Sequence, residues 1–158
     1  LRQQSNDALF QLLARIMQRD GRLVIPAKGS SMFPLIREGN LCRFRPVMTE
    51  NIRKGDIILF STESGQLIAH RLLTVMRREE RLLYICKGDT NLGCDEPIRR
   101  EQMLGVLYSI RKARKELHMS DRSVSLWTKA VIALPIISQG LNRYLSFQKT
   151  RSANGVSL

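Results

Sequence analysis

Five short apolar stretches constrain this chain most: Leu41 to Arg45, Asp56 to Ser61, Leu67 to Met76, Arg81 to Lys87 and Met103 to Arg111. Gly55, Gly65, the charged run Arg77 to Glu80 and the loop from Gly88 to Pro97 separate them. Runs of this length, rich in branched residues and closed by turn-forming residues, read as strands joined by hairpins. Leu23-Val24-Ile25-Pro26 reads as a further short strand. Ahead of it, Ser5 or Asn6 can cap a helix over residues 6 to 19, with Asp7 in its first turn, Leu9, Leu12, Leu13 and Ile16 on one stripe, and Gly21 as the stop. The fold predicted is mainly β, an antiparallel β domain with an N-terminal amphipathic helix and a C-terminal helical segment. A length of 158 residues, 43% of them hydrophobic, supplies one modest core and leaves no room for two.

The composition changes after residue 111. Arg111, Lys112, Arg114 and Lys115 lead to Trp127, Lys129 and an apolar run from Ala130 to Ile137. Spanning a bilayer takes about 20 apolar residues, and this run is interrupted too soon by Lys129 on one side and by Asn142 and Arg143 on the other. Residues 124 to 147 read instead as a helix broken or kinked near Pro135, with the Trp and cationic flanks of an interfacial segment. A helix packed on the β domain fits the same pattern. Residues 149 to 158 read as a loose tail. The chain divides into an N-terminal helix (1–21), a β domain (22–112) and a basic C-terminal segment (113–158).

Lys and Arg exceed Asp and Glu by 26 to 14, a net charge of +12 that favours anionic partners. With only 6% aromatic residues and no nucleic-acid motif, an anionic membrane surface is the better partner, and no specific nucleic acid is expected. The cluster Arg77 to Arg81 reads as a solvated hairpin end. Cys42, Cys86 and Cys94 are odd in number and form no C-x-x-C pair, so neither a disulfide framework nor a metal site is predicted, and no cofactor. Arg2, Asp7, Arg15, Arg19 and Asp20 break every apolar run near the start, so no signal peptide or spanning helix is read there. The location expected is peripheral at a membrane or cytoplasmic.

Chemistry enters at Lys28-Gly29-Ser30-Ser31-Met32-Phe33-Pro34, a hydroxyl nucleophile in a tight turn at the end of a strand. Serine needs a neighbouring base to take its proton as it attacks. Of two histidines, His70 lies on a strand soon after the turn, whereas His118 sits in a charged stretch and reads as a surface residue. By itself His70 reads as a core histidine satisfied by a carbonyl, and the serines of the turn as structural.

Four boxes alter that weighing. Ser31-Met32-x-Pro34, Gly55-Asp56-Ile57-Ile58, His70-Arg71 and Lys87-Gly88-Asp89-x-Asn91 follow in the order seen in type I signal peptidases, which this chain resembles over roughly residues 24 to 108. The His where many relatives have Lys resembles the endoplasmic-reticulum and archaeal branch. The resemblance implies Ser31 as nucleophile, rather than Ser30, and His70 as base and then acid toward the leaving amine. It implies Asp89 as the acid orienting the imidazole, although Gly88-Asp89-Thr90-Asn91 is equally a β-turn. It gives Arg71 a structural part and Asp56 a turn beside the site. Backbone N–H groups of the turn are the natural oxyanion donors. Relatives often add a hydroxyl two residues before the nucleophile; here Gly29 stands there, leaving Ser30 or the backbone to serve. The substrate implied is a precursor or leader peptide with small residues at the cut. The family's usual N-terminal membrane helix has no counterpart in the amphipathic segment before the Ser turn.

Two other readings stand beside this one. Self-cleaving repressors share the fold type but use a Lys base behind a DNA-binding domain, and only about 20 residues precede the strand leading to Ser31. A non-catalytic basic module would bind peptide or membrane through its charge.

Overall fold

In the computed structural model, which describes residues 2–154, the strands form one seven-stranded antiparallel sheet. Helix α1 (Arg2–Asp20) leads into β1 (Leu23–Pro26), β2 (Leu41–Arg45), β3 (Ile57–Ser61), β4 (Leu67–Arg78), β5 (Arg81–Lys87), β6 (Met103–Arg111) and β7 (Glu116–His118); α2 (Arg122–Ala133) and α3 (Pro135–Asn154) close the chain. The order across the sheet is β1-β2-β6-β3-β4-β5. One edge of β6 is filled by β2; the other is shared by β3 at residues 103–106 and β7 at residues 109–111. The segment after residue 112 is therefore not helical throughout, because Glu116–His118 extends the sheet. Helix α3 also continues to Asn154, so residues 149–154, read as loose, are helical; residues 155–158 of that reading lie outside the described residues.

Both faces of β3 are covered. Successive residues of a strand point to opposite sides, so Ile57 and Leu59 join one apolar cluster with Phe44, Leu107 and Ile110, while Ile58 and Phe60 join a second with Leu72, Tyr84 and Cys86. This double burial explains why β3 reads as an unbroken apolar run. Irregularities at Arg43/Phe44, Leu59/Phe60 and Leu72/Thr74 shift the register locally, the kind of extra residue that bends and twists a sheet.

The inward face of α1 is Phe10, Leu13, Ala14 and Met17, spaced i, i+3, i+4, i+7, with Ile16 beside them as expected. Leu9 and Leu12, read as part of that stripe, are exposed instead. Met17 comes so close to the sheet that a Cβ on Gly105 would lie 2.7 Å from its Cε and 2.9 Å from the Arg45 carbonyl. Gly21, at φ 66°, ends the helix by donating its N–H to the Met17 carbonyl. At the other end of the chain the break at Pro135 is sharp: α2 and α3 meet at 97°. Among the described residues no single helix is long and apolar enough to cross a membrane.

Candidate active site

The chain leaves β1 at Pro26 and makes the turn that carries Ser31. Gly29 has φ 75°, in the left-handed region where a side chain is strained. Beyond it, Met32, Leu35 and Ile36 are buried and pin the turn to the core, with the Ile36 N–H donating to the Met32 carbonyl. From across the site, Thr90 donates its backbone N–H (3.0 Å) and shares its hydroxyl (3.3 Å) with the Ser31 carbonyl. The same hydroxyl reaches the Ser30 carbonyl, also at 3.3 Å. The carbonyls of Ser30 and Ser31 are thus both held by Thr90.

His70 lies on β4 opposite Ile58 and is 6% exposed. Its Nε2 is 3.0 Å from Ser31 Oγ, and its Nδ1 is 2.7 Å from Oδ2 of Asp95. A carboxylate only accepts hydrogen bonds, so the Nδ1 contact places a hydrogen on that nitrogen, and in the neutral imidazole this leaves Nε2 bare to accept the Ser31 hydroxyl proton. Three groups 39 and 25 residues apart thus form one hydrogen-bonded line. Asp95 is anchored by its N–H to the Cys86 carbonyl at 2.8 Å, next to the end of β5.

Asp89, expected to face the imidazole, does not. Its two oxygens accept from Nε and Nη2 of Arg71, each at 2.7 Å, in a pair whose side chains are both 1% exposed. Trp127 Nε1 adds a third bond at 3.0 Å. The reason is strand parity: His70 and Arg71 are neighbours on β4 and point to opposite faces, so a carboxylate on the arginine's face cannot serve the histidine. Arg71 Nη1 also donates to the Gly55 carbonyl and to Thr128. Asp56 caps its turn through the Arg53 N–H at 2.8 Å. The 88–91 turn forms as well, closed by the Asn91 N–H on the Gly88 carbonyl.

Helices α2 and α3, to which the site reading gave no part, hold this loop from behind. Trp127 and Thr128 of α2 contact Asp89 and Arg71, while from α3 Asn142 donates to the Thr90 carbonyl and Tyr144 stacks on Phe33 at 5.9 Å.

A cleft of about 420 Å³ opens at Ser31. Ile25 to Gly29 and Met32 form one wall, Leu67 to Ala69 the other, with Leu59 and Phe44 beneath and Leu9 of α1 at the rim. Both walls offer backbone. β1 ends the sheet, and β5 pairs with β4 only from Arg71 onward, so Leu67 to His70 have one unpaired edge in the sheet.

Comparison with known proteins gives a distant likeness in sequence. A 75-residue stretch, 46% of this chain, is 28% identical to signal peptidase I W of Bacillus subtilis (strain 168). The likeness is to a signal peptidase I. It is distant and partial, and the chain spans about 40% of that relative's length. No family model matches the chain.

Proposed function

We propose that this protein is a serine endopeptidase of the signal-peptidase type, of the Ser-His subtype, that cuts leader or precursor peptides. The observation that carries it is the line from Ser31 Oγ through His70 to Asp95, with spacings of 3.0 and 2.7 Å, at the mouth of an apolar cleft. In such an arrangement Ser31 Oγ attacks the scissile carbonyl as His70 Nε2 takes its proton, and Asp95 stabilises the imidazolium without becoming protonated. The tetrahedral oxyanion collapses, the C–N bond breaks, and His70 returns the proton to the departing amine. Water, deprotonated by His70, then cleaves the acyl ester and restores Ser31. N–H groups of the nucleophile turn are the oxyanion donors of this scheme; Gly29 supplies no hydroxyl.

The cleft supports an extended peptide as substrate. A strand laid between the Val24–Pro26 edge and the Leu67–Ala69 edge pairs its backbone with both, and alternate side chains enter the apolar floor. A volume of about 420 Å³ shared along several residues suits small side chains at the cut. Attachment at a membrane, where leader-bearing precursors reside, belongs to the same proposal.

The test is cleavage of detergent-solubilised leader peptides with small residues before the expected cut, followed by mass spectrometry, with Ser31→Ala and His70→Ala in parallel. Cleavage by the parent and loss in both variants supports the reading. Cleavage that survives in Ser31→Ala defeats it.

A further inference from the structure

A second cavity, of about 330 Å³, lies at the elbow between α2 and α3. Lys87 at the end of β5, Arg143, Asn142, Gln139 and Ser138 of α3, and the apolar Leu92 and Pro135 line it. The lining holds two cations and no carboxylate. Lys87 Nζ donates to the buried Ser138 hydroxyl at 2.9 Å, which fixes the ammonium at the cavity wall, and among the described residues neither Lys87 nor Arg143 is in an ion pair.

The surroundings of the cavity are apolar and unburied. Leu92 is 67% exposed, Leu134 51% and Ile136 71%, and the last two flank Pro135 at the apex of the 97° bend. Ile136, Arg143 and Phe147 follow at i, i+7 and i+11 along α3, so apolar and cationic residues share one outward stripe. From Arg122 to the end the sequence contains five Lys or Arg (Arg122, Lys129, Arg143, Lys149, Arg151) and no Asp or Glu. Exposed apolar side chains at the elbow, beside an acid-free cationic cavity, match an interface where hydrocarbon and phosphate lie a few ångströms apart.

We propose that the α2–α3 elbow seats the protein on an anionic phospholipid bilayer, with Leu134 and Ile136 entering the acyl boundary and a lipid phosphate held by Lys87 and Arg143. The cavity lies directly against the catalytic loop, since Lys87 precedes Gly88 to Asn91 and Asn142 donates to the Thr90 carbonyl. The inference rests on the membrane attachment included in the proposed function and names its surface, while needing no cleavage activity.

The experiment is co-sedimentation of Ser31→Ala protein with vesicles of phosphatidylcholine, alone or mixed with phosphatidylglycerol. Removing cleavage chemistry this way keeps failure here separate from failure of the peptidase reading. Binding to the mixed vesicles is expected, weakened about 10- to 30-fold by combined Lys87→Gln and Arg143→Gln, at about 1 kcal/mol per cation. Leu134→Ser with Ile136→Ser is expected to cost about tenfold or more; both side chains are exposed, so circular dichroism should stay unchanged. Combined Arg77→Gln and Arg78→Gln removes equal charge at the far hairpin end and should weaken binding less. Equal loss from the hairpin pair would overturn the proposal in favour of diffuse electrostatics. Full competition by inorganic phosphate, with no effect of Leu134→Ser and Ile136→Ser, would overturn it in favour of a soluble-anion site, and absence of binding to any vesicle would overturn it outright.

Discussion

Trp127 Nε1 lies 3.0 Å from Oδ2 of Asp89, the same oxygen that accepts from Arg71 Nη2 at 2.7 Å. A buried carboxylate is tolerable only when its charge is paired and its lone pairs are used. The indole therefore completes an ion pair lying directly behind the histidine strand, and ties α2 to the loop that grips the Ser31 carbonyl. Replacing Trp127 with Phe keeps most of the packing and removes one bond to a charged acceptor. The expected loss is about 1.5–3 kcal/mol of unfolding free energy, read from urea denaturation. A variant as stable as the parent would show that α2 merely leans on the sheet.

The two aspartates of the 88–97 loop should separate stability from rate. Asp95→Asn leaves the buried ion pair intact and removes the acceptor at His70 Nδ1, so cleavage should fall by about 10²- to 10⁴-fold with the melting transition little changed. Asp89→Asn strands the Arg71 charge in the core, which should cost about 3–5 kcal/mol of stability. Thermal melts and single-turnover rates on both proteins make the comparison. A folded, stable Asp89→Asn variant with lost activity would return the catalytic acid to residue 89.

Gly105 is where Met17 of α1 comes close upon β6. A methyl there meets the Arg45 carbonyl, which is backbone and cannot rotate away. Gly105→Ala should destabilise by about 1–3 kcal/mol through overpacking. Adding Met17→Ala clears only the side-chain half of the clash, so the double variant should recover less than the whole loss. Denaturant midpoints of the three proteins test this non-additivity.

Desolvation by burial pushes the Cys42 thiol up to about 11 and the Cys86 thiol up to about 12, from an ordinary 9.0. Above pH 9 the unfolded chain gives up these protons while the folded chain keeps them. The unfolded state thus binds fewer protons, and stability falls as pH rises from about 9 toward 11, by up to about 1.4 kcal/mol per pH unit for each thiol. Urea midpoints at pH 8 and pH 10.5 should show a drop that is smaller in Cys86→Ala. At neutral pH an alkylating reagent should label the exposed Cys94 first and reach Cys42 and Cys86 only on unfolding.

The strands were legible in the sequence because each is a local event: branched apolar residues closed by glycine or a charged turn specify an extended segment whatever surrounds it. The six strands read from residues 23 to 111 lie within one residue of their observed starts, and β4 runs two residues further, to Arg78. The three-residue β7 carries no such signal, since only the open half-edge of β6 makes Glu116–His118 a strand. Leu9 and Leu12 misled for a related reason. Helical spacing identifies apolar stripes, but which stripe meets the core is decided by the sheet beneath, where Gly105 admits Met17 and draws Phe10 and Leu13 inward.

At the site, sequence determined the residue types and their order: a serine in a glycine turn, a histidine on a strand beside an arginine, and a loop with acids. Which acid meets which base is a matter of faces and distances. Neighbours on a strand look to opposite sides, so Arg71 claimed Asp89 and left His70 to Asp95, a residue from an irregular loop with no periodicity to mark it. That parity was readable in principle from His70-Arg71 alone. The clamp of Trp127, Thr128 and Asn142 on Arg71 and the 88–91 turn was not, because it joins residues 38 to 57 positions apart whose meeting depends on a 97° turn between two helices. Local preference wrote the elements, and long-range packing chose their partners.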